Sequence, residues 1–253
     1  MTGAEYIVEF LYQRGCRQIF LTTGGACAFI VDAIARHPEM SYICFQHEQA
    51  AAMAADSLWR IDQTVGVTVA TSGPGATNLI TGIACSYFDS IPTLHITGQV
   101  NQIESSSFLG AKVRQAGFQE TNIVDMVKPI TKYAVQVTNG GELKEKLEYA
   151  WNMTITDRYG PVLIDVPMNV QKEEVGSEVC YAKCNPPLIS NALLKQYADQ
   201  INDFFNGAKC PLILFGAGVG LSGSAADIEN WLVNSNIPFV ASWNGMTYFN
   251  HEH

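Results

Sequence analysis

Charged residues are scarce in this sequence. Asp, Glu, Lys and Arg make up only 15% of its 253 residues, whereas hydrophobic residues make up 47%. Soluble domains usually carry about 25% charged residues, so we expect part of the surface to be buried against a partner. The net charge is −9. This negative balance argues against nucleic acid or an anionic membrane as the main partner.

Long apolar runs and a cysteine framework are also missing. No run approaches the roughly 18 residues that span a bilayer, and Met1-Thr2-Gly3-Ala4-Glu5 has no basic residues, unlike a secretory signal. The seven cysteines are scattered, which is typical of reduced thiols and predicts a cytoplasmic location. Cys180 and Cys184 are four apart. No second Cys or His pair with ligand spacing follows, so a zinc site is not favoured.

Short apolar strands alternate with helical patterns along the chain. This alternation predicts an α/β fold, a doubly wound parallel sheet with helices on both faces. Residues 41–45 are predicted to form a short buried strand, and residues 75–87 a single helix. Ligands of such sheets bind beyond the carboxyl ends of the strands. The glycine turns at Gly24 and Gly73 are expected there.

The pattern also predicts a division of the chain. We expect a first domain over residues 1–170, a polar linker over residues 171–187 and the start of a second α/β domain over residues 188–253. In the second domain, Gly216-Ala217-Gly218-Val219-Gly220 follows a predicted strand. Leu221 replaces the third glycine of the dinucleotide fingerprint, so that fingerprint is incomplete.

One acid opens a predicted helix of small residues. Glu48 follows an apolar strand and precedes Ala50-Ala51-Ala52. By its position alone, Glu48 is an ordinary acid favoured by the dipole of a helix N-terminus. The histidines His47 and His95 are interpreted as core or packing residues, since no acid or nucleophile stands at a recognisable spacing from them.

A glycine turn lies between a strand and a helix at Thr71-Ser72-Gly73-Pro74-Gly75-Ala76-Thr77-Asn78. Glycines before a helix N-terminus are typical of a phosphate loop. The Gly-Lys-Ser/Thr of a P-loop is absent, so we do not expect a nucleoside triphosphate. A tight strand-to-helix turn explains the same residues without any ligand.

Together, these two motifs resemble the pyrimidine-binding domain of thiamine-diphosphate-dependent enzymes. The resemblance is strongest to the catalytic large subunit of acetolactate synthases, and it rests on Phe45-Gln46-His47-Glu48-Gln49-Ala50-Ala51, the turn at residues 71–78 and Ile96-Thr97-Gly98-Gln99-Val100. It implies that Glu48 is the catalytic acid, which activates the cofactor by sharing a proton with its aminopyrimidine ring. The resemblance assigns cofactor binding to Gly24, Gly25, Pro74, Gly75 and Asn78, and the substrate side to Ala26, Phe118 and Gln119.

The chain departs from acetolactate synthases in two places. Thr22-Thr23 stand where these enzymes usually have Tyr-Pro, and residues 101–117 form a longer segment. That segment contains Lys112 and Arg114, which either meet a substrate carboxylate or phosphate, or are a solvated pair. Gln119 can equally belong to a surface loop. These departures affect the prediction of the substrate more than the prediction of the fold.

The resembled family has three domains, of which this sequence matches the first and about half of the second. The Gly-Asp-Gly of the pyrophosphate-binding domain is absent. We therefore expect thiamine diphosphate and Mg²⁺ to be completed by a domain outside this chain, with no metal ligand here, and we leave FAD open because only some family members hold it. The chain is expected to be a fragment or one part of a split enzyme, and inactive alone.

The resemblance implies decarboxylation of a 2-oxo acid, with pyruvate expected, followed by transfer of the two-carbon unit to an acceptor carbonyl. Two alternatives stay open: a thiamine-dependent lyase or decarboxylase acting on another 2-oxo acid or an acyl-CoA, and a non-catalytic interaction domain that keeps the fold. The resembled enzymes build each active site between two chains. We therefore expect a homo-oligomer, at least a dimer.

Overall fold

The chain divides into two units in a computed structural model, which describes residues 1–110, 112–176, 190–235 and 237–248. The units are Met1–Pro186 and Pro187–His253. Most of the linker expected at residues 171–187, together with Cys180 and Cys184, lies outside the described residues. Each unit has its own sheet.

The first unit is built on six strands, which are β1 (Gln18–Leu21), β2 (Ser41–Cys44), β3 (Gly66–Ala70), β4 (Thr93–Gln99), β5 (Tyr133–Gln136) and β6 (Val162–Pro167). They form one sheet in the order β2-β1-β3-β4-β6-β5. All five neighbouring pairs are parallel. The predicted α/β fold with a parallel sheet is therefore confirmed.

Helices connect these strands. They are α1 (Gly3–Gln13), α2 (Ala28–Arg36), α3 (Glu48–Asp62), α4 (Pro74–Asn78), α5 (Ile80–Asp89), α6 (Ser106–Leu109), α7 (Ile123–Val127), α8 (Gly140–Ile155) and α9 (Met168–Lys172), with 3₁₀ turns at Gly25–Cys27, Gln102–Glu104 and Lys128–Ile130. The single helix predicted at residues 75–87 is two helices. The reason is local: Leu79 N–H donates to Ala76 O at 3.2 Å, a tightened turn that interrupts the α-helical pattern.

Apolar side chains cover both faces of this sheet. On β6, Val162 and Ile164 belong to a core that includes residues of α1 and α8. Leu163, between them, points to the opposite face and packs in a second core with Ile83 of α5 and Ile123 of α7. Successive side chains of a strand alternate between faces. Burial on both sides therefore explains why β6 is a continuous apolar run interrupted by one acid.

The strand β2 differs from its prediction. Residues 41–45 are predicted to be buried, but all four residues of β2 are exposed, and Tyr42 and Ile43 are 47% and 41% accessible. The strand lies at the edge of the sheet, beside β1. An apolar pattern identifies a strand but not its neighbours, because strand order depends on distant parts of the chain. The prediction of burial was therefore wrong.

Small residues bring α3 and α5 together. A Cβ atom on residue 82 would lie 2.3 Å from the Cβ of Ala52, so only glycine allows this approach. Farther along, Ser86 Oγ donates to Asp56 Oδ2 at 2.9 Å. Arg60 joins Asp56 to Asp89, with N···O distances of 2.5 and 2.6 Å. The close packing and these polar contacts together fix the distance between α3 and α5.

The residues after β6 pack against the start of the chain. Gln171 of α9 is fully buried, and its Nε2 donates to Ala26 O at 2.7 Å. Glu174 forms a β-bridge with Thr2, and Val175 is 8% exposed. The compact part of the first unit therefore extends at least to Val175.

The second unit contains α10 (Asn191–Gly207), β7 (Ile213–Phe215), α11 (Gly218–Leu221), α12 (Ala225–Ser235), β8 (Phe239–Ala241) and the 3₁₀ turn Trp243–Tyr248. The strands β7 and β8 are parallel, and Phe215 and Leu232 form a small core beside them. A Cβ on Gly220 would lie 1.9 Å from the Tyr248 ring, so this glycine is required by packing. None of the described helices is long and apolar enough to cross a membrane.

The contact between α3 and α5 predicts the effect of one methyl group. We expect Gly82→Ala to lower the free energy of unfolding of the first unit by about 1–3 kcal/mol, because the added Cβ overpacks the contact with Ala52. Hydrogen exchange of the buried amides of β3 measures this change. The matched control is Gly25→Ala, because a Cβ at residue 25 would have no neighbouring atom within 4 Å. Equal exchange in the two variants would contradict the prediction.

Candidate functional site

Glu48 is the first residue of α3, and it is 8% exposed. The N-terminus of a helix stabilises a negative charge. His47 caps this end, because its Nδ1 accepts a hydrogen bond from Gln49 N–H at 3.2 Å. His47 is exposed, so its interpretation as a packing residue was wrong. The strand-to-helix turn that follows β2 thus directs one acid inward.

His95 has the packing role expected from the sequence. It is fully buried on β4, between Thr68 Oγ1 at 2.8 Å from Nδ1 and Thr93 Oγ1 at 2.9 Å from Nε2. Burial lowers the pKa of His95 to about 3. The ring is therefore a neutral bridge between two threonines.

Asn78 and Gly75 lie beside the carboxylate of Glu48. Asn78 Nδ2 donates to Oε2 at 2.9 Å. A Cβ on residue 75 would lie 2.7 Å from the Thr71 side chain and 3.3 Å from Oε1. Glycine at residue 75 therefore lets Thr71 and Glu48 pack against this turn. The bond from Asn78 orients the carboxylate through Oε2 and leaves Oε1 for another hydrogen-bonding group.

Thr71 joins the two glycine turns. Its Oγ1 accepts a hydrogen bond from Ala26 N–H at 3.1 Å. Cβ atoms on Gly24 and Gly75 would lie 2.4 and 2.7 Å from the Thr71 side chain, so neither position tolerates a larger residue without movement. Sequence reasoning missed this role, since nothing in the local pattern distinguishes Thr71 from other strand-end threonines.

The segment around Gln119 reaches the same turn. Gly73 has a φ of +61°, and a Cβ there would lie 2.7 Å from the Gln119 Cβ. Gln119 itself has a φ of 56°, which is uncommon for a residue with a side chain. Phe118, in contrast, is 81% exposed. The structure thus brings Gln119 to the glycine turn and leaves Phe118 outside it.

The predicted site residues therefore divide into three groups. Gly24, Ala26, Gly75 and Asn78 lie with Glu48 around Thr71. Gly25 and Pro74 are exposed beside this cluster. Gln119 and Phe118 belong to the segment that leads to it, where Gln119 lies against Gly73 and Phe118 is exposed. The roles given to these residues stay predictions.

A thiol also lies beside the cluster. Cys27 is buried, and its Sγ donates to Gly24 O at 3.4 Å. Burial raises the pKa of Cys27 to about 11, and the nearby charge of Glu48 acts in the same direction. The thiolate is the nucleophilic form of cysteine. Cys27 is therefore an inert packing thiol near neutral pH.

The chain matches one protein family over its first half. Residues 1–126 match the model described as "Thiamine pyrophosphate enzyme, N-terminal TPP binding domain". The chain belongs to the thiamine pyrophosphate enzyme family. Thiamine pyrophosphate is another name for thiamine diphosphate. The match includes β1 to β4, Glu48 and both glycine turns, so it covers the whole cluster described above.

Curated relatives extend this similarity to the full chain. The probable acetolactate synthase large subunit of Methanocaldococcus jannaschii is 35% identical over all of this chain and 42% of its own length. The acetolactate synthase large subunit of Corynebacterium glutamicum is 34% identical, over 39% of its length. The large subunit of acetolactate synthase isozyme 2 from Escherichia coli is 32% identical to this chain, over 43% of its own length. The chain thus spans about 40% of the relatives' length, and the resemblance to acetolactate synthases is confirmed.

Glu120 holds the longer segment of this thiamine-family domain in place. Its carboxylate accepts hydrogen bonds from Ser106 N–H and Oγ at 2.8 to 3.0 Å, and from the N–H groups of Ala116 and Gly117 at 3.1 and 3.2 Å. Partial burial raises the pKa of Glu120, but these hydrogen bonds outweigh it and hold the pKa below its ordinary value. Lys112 and Arg114 are exposed in the same segment.

Asp165 is a buried acid that the sequence analysis did not single out. It is 1% exposed on β6, and it accepts hydrogen bonds from Thr97 Oγ1 at 2.7 Å, Gln136 Nε2 at 2.8 Å and Gln99 Nε2 at 3.1 Å. Burial raises the pKa of Asp165, although the three hydrogen bonds oppose this rise. The sequence does contain a signal for this role, which is an acid inside an apolar strand. A buried acid of this kind needs polar partners.

Within the part of the chain that the structure describes, no group of three or more His, Cys, Asp or Glu side chains could hold a metal ion.

The hydrogen bonds of Glu120 predict a dependence on pH. The lowered pKa means that Glu120 stabilises the segment above its ordinary value of 4.5, and that this contribution is lost as the pH falls through the lower folded value. Hydrogen exchange of the Ser106, Ala116 and Gly117 amides, corrected for intrinsic rates, is therefore expected to be faster at pH 3 than at pH 6.

A substitution tests the same bonds at constant pH. At pH 6, we expect Glu120→Gln to speed this exchange about tenfold or more, because hydrogen bonds to a charged acceptor contribute about 1.5–3 kcal/mol. Glu104→Gln changes an exposed acid of the same segment and is the control. Unchanged protection of the three amides in Glu120→Gln would show that other contacts hold the segment.

Proposed function

We propose that this chain supplies the pyrimidine-binding part of a thiamine-diphosphate-dependent enzyme. The enzyme decarboxylates a 2-oxo acid, with pyruvate the expected substrate, and transfers the two-carbon unit to an acceptor carbonyl. The curated relatives support this proposal, because they are acetolactate synthase large subunits. The activity belongs to the whole enzyme, of which this chain corresponds to about 40% of a relative's length.

One observation carries the proposal. Glu48 is a nearly buried acid at a helix N-terminus, and Asn78 orients its carboxylate through Oε2 and leaves Oε1 for a ligand. A carboxyl group in such a position can share a proton with a ring nitrogen, since water has little access to it. The residues present therefore fit an aminopyrimidine.

The chain's own residues would perform three tasks. Glu48 holds a proton at Oε1, against the ring. Asn78 fixes the orientation of that carboxyl group. The backbone of Gly24, Gly25 and Gly75 would lie against the ring, with Pro74 starting the helix beside it. When bound, thiamine diphosphate supplies the chemistry that stabilises negative charge on the carbon freed by decarboxylation.

We propose that the diphosphate and its Mg²⁺ are held by a domain outside this chain, so that the chain alone is inactive. The sequence contains no Gly-Asp-Gly. FAD is left open, because the turn at residues 216–220 has only part of a dinucleotide fingerprint. We also infer a cytoplasmic location, since Cys16, Cys27, Cys44, Cys85 and Cys210 are free thiols.

The catalytic role of Glu48 can be tested in the complete gene product. We expect Glu48→Gln to lower the turnover of pyruvate by about two to four orders of magnitude, the usual loss for a positioned acid–base group. The amide can still accept the hydrogen bond from Asn78, so folding is expected to change little. Carbon dioxide release measures turnover, and circular dichroism checks the fold.

The matched control is Glu145→Gln, which changes an exposed acid on α8 in the same way. Turnover by Glu48→Gln at the level of this control would remove Glu48 from its role. A complete gene product that releases no carbon dioxide from any 2-oxo acid would instead favour the non-catalytic interaction domain. Decarboxylation without transfer to an acceptor would favour the lyase or decarboxylase.

We further propose that the chain self-associates, at least as a dimer, through the face that carries α3 and α5. Exposed apolar side chains on these helices support this proposal: Met53 is 39% exposed, Ile61 82%, Tyr87 39% and Phe88 71%. Burying such side chains favours association. An isologous pairing is the commonest arrangement for a face of this kind.

Light scattering at micromolar concentration tests this assembly. We expect the purified chain to be at least dimeric, and Phe88→Glu to shift it toward the monomer because the substitution places charge in the contact. Phe204→Glu is the matched control, since Phe204 is 80% exposed on α10. A strictly monomeric chain, or equal effects of both substitutions, would contradict the proposed face.

A further inference from the structure

A polar depression lies at the carboxyl ends of β4, β5 and β6. It consists of two adjoining cavities of about 460 and 330 Å³, which share Gln99, Ser105, Ser107 and Gln136 in their walls. These three strands are consecutive in the sheet, on the side away from β2. The carboxyl ends of parallel strands are the usual place for ligands. Volumes in this range accommodate small molecules.

The amide groups in the wall have fixed orientations. Gln99 Nε2 donates both to Thr121 O at 2.9 Å and to Asp165 Oδ2 at 3.1 Å, so both of its amide hydrogens are used. Gln136 Nε2 donates to the same Asp165 oxygen at 2.8 Å. Because this nitrogen faces Asp165, Gln136 Oε1 is turned away from the buried acid. Gln136 therefore offers an acceptor.

The hydroxyl hydrogens in the wall are also used within the protein. Ser105 Oγ donates to Gln102 O at 2.7 Å. Ser107 Oγ lies 3.0 Å from Ser105 Oγ, and it must be the donor of that pair because the hydrogen of Ser105 is already used. Ser106 Oγ donates to Glu120 at 2.8 Å. Ser107 Oγ keeps its lone pairs as acceptors, whereas Ser105 Oγ already accepts from Phe108 N–H at 3.2 Å and from Ser107. Gln136 and Gln102 each donate one amide hydrogen within the protein, so each has a second one for a ligand.

The charge in this region is negative. Glu120 lines one of the two cavities and Asp165 is bonded to their shared amides, whereas no Lys, Arg or His is among the described residues that line them. Lys146 Nζ donates to the backbone O of Gln136 at 3.2 Å, but it is ion-paired with Glu142 at 2.5 Å. The low pKa of Glu120 keeps it ionised at neutral pH. A carboxylate or phosphate would meet like charge here. Hydroxyl groups, in contrast, can donate to the free acceptors.

We propose that this depression binds a neutral, polyhydroxylated small molecule through hydroxyl groups that donate to Gln136 and Ser107 and accept from the remaining amide hydrogens of the wall. The site is separate from the Glu48 cluster, and the negative charge of Glu120 disfavours the anionic groups of thiamine diphosphate and of 2-oxo acids there. It also adjoins the segment that contains Gln119, because Glu120 lines it.

A pair of matched sugars tests the proposal. We would titrate the purified chain, without thiamine diphosphate, with D-glucose and with D-glucuronate, and follow binding by saturation-transfer NMR. These probes differ by one carboxylate. Saturable binding of glucose is expected, with glucuronate at least about tenfold weaker, which corresponds to roughly 1.4 kcal/mol. No saturable binding of glucose, or equal affinity for both probes, would overturn the proposal.

Two substitutions locate the site. Gln136→Leu removes the acceptor and Ser107→Leu fills the mouth of the depression, and each is expected to weaken glucose binding about tenfold or more, the scale of one hydrogen bond or a steric block. Gln13→Leu, at an exposed position on α1, is the matched control. Amide spectra check folding, and the exposed position of Ser107 keeps the test valid if Gln136→Leu does not fold. Unchanged binding in a folded variant would place the ligand elsewhere.

Discussion

The close approach of two backbone turns to one threonine side chain is the constraint on which the candidate site depends. β1 and β3 are adjacent and parallel, so both strands end at the same edge of the sheet. Thr71 fills the space between these turns, and residues 24 and 75 have no room for a Cβ atom. The position of Glu48 follows from this packing, because its partners Gly75 and Asn78 belong to the turn that Thr71 begins.

The same sheet edge carries two regions of different chemistry. Beside β1 and β3, one nearly buried acid stands at a helix N-terminus, and Asn78 orients its carboxylate through one oxygen. Beside β4, β5 and β6, a buried acid is surrounded by neutral donors and orients the amides of Gln99 and Gln136. Both regions use hydrogen bonds to fix side chains before any ligand arrives, and such preorganisation lowers the cost of binding.

Small and apolar residues have separate consequences in this chain. Gly82 allows α3 and α5 to touch, and the bonds of Asp56 hold their spacing. Exposed apolar side chains then remain on these helices and on the edge strand β2. The low charge content agrees with surface that a partner covers. The helices α3 and α5 therefore pack closely against each other inside the first unit, and they also carry the exposed side chains of the candidate contact with another chain.

The sequence by itself determined the fold class and the family. Apolar periodicity and glycine turns are local features, so they identified the parallel α/β class, and the motifs around Glu48 and at residues 71–78 identified the family. The tertiary structure alone decided the exposure of β2, the role of Thr71 and the partners of Asp165. These depend on residues far apart in sequence, 45 positions for Ala26 and Thr71 and 68 for Thr97 and Asp165. Local patterns carry no information on such pairs, because strand order and the crossing of connections set which residues meet.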